Sequence, residues 1–306
     1  MIFKLIKLVV LLHVLLRNHA KYNNFMVMGL SKEEFFEVEK ELLVGLNKSS
    51  GYVKTIQKVE VGTTEGGANA YRGATGVVSV YGLRLTKHQI SSANILLTNG
   101  PPIQRTVIMA GWMVAPSIYG DSATRLFTYW TQDTGKNTGC YNVLCQGFVV
   151  AGSEVAPGAL LSPVSTYNGT TFDLKIRIFQ DPNSQNWVLT VFEDDIVVGY
   201  WPKELVPQLS NGAGYVGWGG LAQEGKNGTS PPMGSGHKPD GKFNIATYFK
   251  HIRCYTVDLS EIQLSYGSSK EIVDETGCYG LQNDSRQSPD VRDYFLFGGP
   301  GGKCGA

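Results

Sequence analysis

The pattern of apolar and polar residues changes character near residue 54. Before it, Phe35, Val38, Leu42 and Leu46 fall on one face of a helix, with Lys32, Glu33, Glu37, Lys40 and Glu41 on the other. Ser31 stands three residues before Glu34, the spacing of a capping box, and Gly51 closes the segment. Beyond residue 54 the period becomes two. Phe172, Leu174, Ile176 and Ile178 alternate with polar residues and share one face of a strand. Residues 181–185 then signal a turn, 187–192 a returning strand, 193–195 a second turn and 196–201 a third strand. Similar short runs recur at 76–80, 95–98, 106–114, 126–130 and 215–219. Residues 202–209 read as a second, short helix opened by Pro202 in its first turn. Many short strands and almost no helix predict an all-β protein, an antiparallel β-sandwich of two large sheets with a short N-terminal helical segment.

Composition supports this reading, because 37 glycines and 15 tyrosines favour turns and strands over helices. The formal charge of +1 gives no electrostatic reason to bind nucleic acid or a membrane surface. At the N-terminus, Lys4 and Lys7 precede an apolar run over 8–16 that leads through Arg17 to Ala20. A short basic stretch before a short apolar run has the form of a secretory signal. A membrane span needs about 20 apolar residues, more than this run supplies. Residues 1–20 are therefore expected to be a signal peptide or signal anchor, and the protein to be secreted and extracellular, with the cell wall or the vacuole as alternative destinations and no membrane association once the signal is removed. Asn47, Asn168, Asn227 and Asn283 head Asn-x-Ser/Thr sequons, the glycosylation candidates of a secreted chain.

Five cysteines are too few for a disulfide-dense scaffold. They suffice for one or two local bridges, or equally for five buried thiols. Cys140 and Cys145 have a spacing that suits a looped bridge, Cys278 and Cys304 bracket the C-terminal segment, and Cys254 is left over. No CxxC or HExxH occurs, so neither a metal nor another cofactor is expected.

Three short motifs lack the context that their chemistry needs. Residues 212–217 match GxGxxG, but no helix pattern follows them. Residues 220–226 have the GxxxxGK spacing, yet Asn227 replaces the required Ser or Thr and the segment reads as a loop. Ser235 lies near His237, but Met233 breaks GxSxG, which leaves His237 as a loop or cleft histidine.

Longer blocks carry a resemblance. The run AGWMVAPSIYGD over 110–121 is followed by RLFTYWT over 125–131, TGCYN over 138–142 and CQGFV over 145–149. Then come VGYWP at 198–202, WGG at 218–220, MGSGH at 233–237, Cys278-Tyr279 and GGPGG at 298–302 before Cys304. In this order, from Ala68 to Cys304, they resemble the neprosin family, plant-rich secreted proteins. The resemblance implies a sandwich with a cleft across one sheet, a precursor with an activation segment, and a glutamic peptidase that cuts after proline in acid. It also implies bridges Cys140–Cys145 and Cys278–Cys304. Residues 21–56 would then be a truncated activation-type segment and 57–306 the sandwich domain.

Such chemistry needs two carboxyls about one water, one ionised as base and one protonated to support the carbonyl oxygen or leaving amine. Burial and mutual repulsion separate their pKa values. The family places one glutamate two residues before the Gly-Trp of the Ala-Gly-Trp block and the other directly after Trp-Gly-Gly. Those positions here are Met109 and Leu221. Glu224 lies at an odd offset from Leu221, which on a strand is the opposite face, and the next acid after Met109 is Asp121, beyond Pro116. No catalytic pair is therefore expected. What the resemblance leaves is a cleft with Trp112, Tyr119, Asp121, Trp130, Trp218 and His237 as ligand-facing candidates, and a proline-rich peptide or cell-wall polymer as partner. The competing expectation is an acid peptidase that uses non-standard residues.

Overall fold

The computed structural model describes residues 56–63, 71–101, 104–264, 269–283 and 293–304. The expected signal, the helix over 31–46 and the sequon at Asn47 lie outside them. The first strands are β1 (Ile56–Thr63), β2 (Gly73–Ser79), β3 (Ile90–Asn99) and β4 (Thr106–Val114). After one helical turn, α1 (Pro116–Tyr119), come β5 (Arg125–Thr131) and the short β6 (Cys140–Tyr141) and β7 (Val149–Val150). The meander is β8 (Asp173–Gln180), β9 (Trp187–Val191) and β10 (Ile196–Trp201), followed by β11 (Tyr215–Gln223) and β12 (Thr247–Tyr255). The last are β13 (Glu261–Ile262), β14 (Ser269–Val273), β15 (Gly280–Gln282) and β16 (Phe295–Gly298).

Two antiparallel sheets result. One runs β14-β1-β11-β3-β4-β5-β6, and the other β15-β16-β12-β2-β8-β9-β10-β7, with β13 paired to β12. They pack face to face because alternate residues of each strand are apolar and point inward: Leu174, Ile176 and Ile178 from β8 meet Ile95 and Leu97 from β3 and Ile108 and Ala110 from β4 in one core. Two indoles tie the layers together, since Trp112 Nε1 donates to Ser79 O and Trp218 Nε1 to Thr75 O, each at 3.0 Å. Disulfides join Cys140 to Cys145 and Cys278 to Cys304, and Cys254 is free and buried. Burial in apolar surroundings pushes the Cys254 thiol up, which leaves it unreactive.

Two local expectations need correction. The helix over 202–209 is instead a turn closed by Leu205 N to Pro202 O and a separate 3-10 turn at Pro207–Leu209. Pro207 disfavours helical torsions at the residue before it, and Val206 sits at φ −127°, ψ 57°. The glycine-rich stretch from 220 is strand as far as Gln223 and only then turns. Glycine is required there by close backbone approach: a Cβ at Gly219 would fall 2.0 Å from Val59 O.

Candidate functional site

The outward face of the seven-stranded sheet is read from parity and register. Met109 on β4 pairs with Leu96 on β3, and Leu221 on β11 pairs with Ser92 on the same strand. Positions 92, 94 and 96 point to one side of β3, so Met109 and Leu221 share that face. They flank β3 and are offset by four residues along it. On a flat sheet that offset is roughly 16 Å between Cα atoms, from ~3.3 Å per residue and ~4.8 Å per strand. Met109, Met113, Tyr119 and Phe127 form an apolar cluster against which Leu96, Tyr129, Tyr141 and Leu221 pack.

Between the two positions lies Asn94, buried, with Gly219 paired on one side and Gly111 on the other. Its amide Nδ2 donates to Ser92 Oγ at 3.1 Å. Because Gly219 and Gly111 carry no side chain, the row through Asn94 is a trough in the side-chain layer whose floor is itself buried, with Leu96 and Met109 on one side and Ser92, Leu221 and Met113 on the other. At its β5 end stands Phe127, and the rings of Tyr129 and Tyr141 lie 4.7 Å apart beyond it. Burial pushes both phenols up, so these are neutral aromatic surfaces.

At the β1 end the row finishes in Glu60, whose side chain is buried on the same face. Tyr215 Oη donates to Glu60 Oε1, and Lys58 Nζ lies 3.4 Å from the same oxygen. Burial drives the carboxyl above its usual range, while Lys58 and the Tyr215 hydroxyl pull it partly back. The carboxyl leans over Gly217, away from Leu221, since a Cβ on Gly217 would fall 2.6 Å from Glu60 Cδ. Sequence reasoning missed this acid. The partner that brings it here, β11, lies more than 150 residues away, and no local motif marks the pairing.

The ligand-facing candidates divide. Tyr119, on α1, joins the cluster; its hydroxyl accepts from Asn142 Nδ2 at 2.8 Å, and burial pushes it up to about 12. Asp121 lies at the rim, where its Oδ2 accepts from Arg125 Nη2 at 2.8 Å. Trp112, Trp130 and Trp218 do not belong to this face: all three sit in the core between the sheets. Trp112 is three residues from Met109 and Trp218 three from Leu221, and an odd offset along a strand reverses the face. His237 is exposed in a loop, stacked on Tyr167 at 3.7 Å between ring centres, and joins none of these groups. Glu224 lies just past the end of β11. Among the described residues, no group of three or more His, Cys, Asp or Glu gathers as a metal would require.

The molecule is thus a two-sheet antiparallel sandwich with an aromatic and apolar trough on the outer face of one sheet. It belongs to the neprosin family, whose sequence profile, Neprosin, matches residues 87–300. Among solved structures it is similar to scytalido-glutamic peptidase with a transition state analog inhibitor, at 8% identity and TM-score 0.43, covering 81% of this chain and 99% of that one. A structure of the same peptidase with a peptide-based analog gives 9% identity and TM-score 0.40, over 80% and 99%. The CBM40 of Ruminococcus gnavus IT-sialidase bound to alpha2,6 sialyllactose gives 10% and 0.26, over 56% and 90%.

Proposed function

We propose that this chain is a secreted neprosin-domain protein without peptidase activity, which uses the trough on its seven-stranded sheet to bind a proline-rich peptide or a cell-wall polymer. One observation carries the reading: the two positions where the family resemblance expects glutamates are Met109 and Leu221, on one face and part of one apolar surface. A general acid or base contributes typically ~10²–10⁴-fold in rate, and both roles are vacant here. Apolar residues at both positions leave no unpaired buried charge, so the fold need not suffer. The apolar run over 8–16 and two formed disulfides support secretion, because such bridges persist in oxidising compartments. Neutral aromatic rings beside a trough suit proline rings or sugar faces, which offer apolar surface with few donors.

The second reading, an acid peptidase built on other residues, draws on Glu60, a protonatable carboxyl on the same face. Its engagement with Tyr215 and Lys58 and its lean toward Gly217 weigh against it. Calorimetric titration of the full chain with a proline-rich peptide and with wall polysaccharides, paired with a peptide-cleavage assay in acid, separates the two. Binding that Leu221→Asp abolishes, without cleavage, is expected. Robust cleavage after proline overturns the proposal.

A further inference from the structure

The sheet makes room for Glu60. A Cβ on Gly217 would fall 2.6 Å from Glu60 Cδ and 2.8 and 2.9 Å from its carboxyl oxygens, and one on Gly62 would fall 2.0 Å from Tyr215 Oη. Two glycines on neighbouring strands therefore leave the space that the carboxyl and the phenol fill. Glu60 is 2% exposed. Among the described residues, β1 itself and its neighbours β11 and β14 supply the groups beside it. β1 supplies Lys58, whose Nζ is 3.4 Å away but whose side chain is 32% exposed, so its attraction is screened by water. β11 supplies the Tyr215 hydroxyl. From the β14 side come Lys270, paired with Gly62 and exposed, and Asp274, whose Oδ2 accepts from Lys58 N at 2.8 Å and whose charge opposes ionisation of Glu60. Against these stands the loss of hydration at a buried carboxylate, which is the larger effect.

We infer that Glu60 is an acid-operated lock: its neutral carboxyl seats β1 against β11, and its ionisation loosens that side of the sheet. The direction follows from linkage. A carboxyl raised on folding contributes stability that is complete below its unfolded pKa and is lost as pH rises through its folded pKa. Because β11 also carries Leu221, the trough is firmest in acid and loosens toward neutral pH.

The test compares thermal unfolding of the full chain with that of Glu60→Gln, which keeps an acceptor for Tyr215 and cannot ionise. The wild type should lose several degrees in Tm between about pH 4.5 and 7.5, the interval above an ordinary glutamate pKa, while Glu60→Gln stays level and becomes the more stable protein at neutral pH. Parallel curves overturn the lock. Should Glu60→Gln not fold, Tyr215→Phe removes a hydroxyl that favours the ionised carboxyl, so the midpoint of the loss should move to higher pH; an unmoved midpoint also overturns it. Hydrogen exchange then localises the effect. Protection should fall first in β1 and β11, and a uniform fall across both sheets contradicts a local lock.

Discussion

The two faces of the seven-stranded sheet are built from the same strands and do opposite work. On the inner face, Trp112 and Trp218 are fully buried and each donates to a backbone carbonyl of the other sheet, so they fasten the layers together. On the outer face, glycines alternate with Met109, Asn94, Leu221 and Glu60, and the surface is a trough instead of a contact between layers. The difference teaches that an aromatic residue next to a site in sequence can belong wholly to the scaffold. The aromatic residues of the outer face are instead Phe127, itself buried, with Tyr129 and Tyr141 packed against its cluster.

Truncation separates the faces most sharply. Trp218→Ala or Trp112→Ala should cost about 3–5 kcal/mol in a denaturant titration, the range for emptying a buried indole site. Leu221→Ala, which is only half buried and outside the intersheet core, should cost less than ~2 kcal/mol, toward or below the low end of that range. Equal losses would mean that the outer face is as structural as the inner one. A smaller effect sharpens the comparison: Gly217→Ala pushes a methyl into the Glu60 carboxyl and should cost about 1–3 kcal/mol. Combining it with Glu60→Ala should recover most of that loss, and strict additivity would show that the carboxyl swings aside freely.

Much of this could be read from the chain, and the failures have physical causes. The meander of β8, β9 and β10 was legible because β8 alternates strictly, with Leu174, Ile176 and Ile178 inward, and short turn signals join it to β9 and β10, which turn Trp187 and Trp201 into the same core. β12 was not, because a register shift between Lys250 and Arg253 and positive φ at His251 break its period of two. β1 was obscured because it is buried on both faces and places Gln57 and Glu60 among its apolar residues. In the site, Met109 and Leu221 were found through long ordered blocks. The indoles were misplaced although the offset of three that reverses their face was already visible. Glu60 depended on a pairing across more than 150 residues, which no local pattern announces.

The proposal under test is that Met109 and Leu221, standing where the family resemblance expects glutamates, deprive this sheet of acid peptidase chemistry. It is tested most directly by assaying the wild type and the Met109→Glu/Leu221→Glu variant side by side on a proline-containing peptide in acid, with products identified by mass. The account predicts no cleavage by the wild type and measurable cleavage after proline by the folded variant. Cleavage by the wild type, or none by a folded variant, would contradict it.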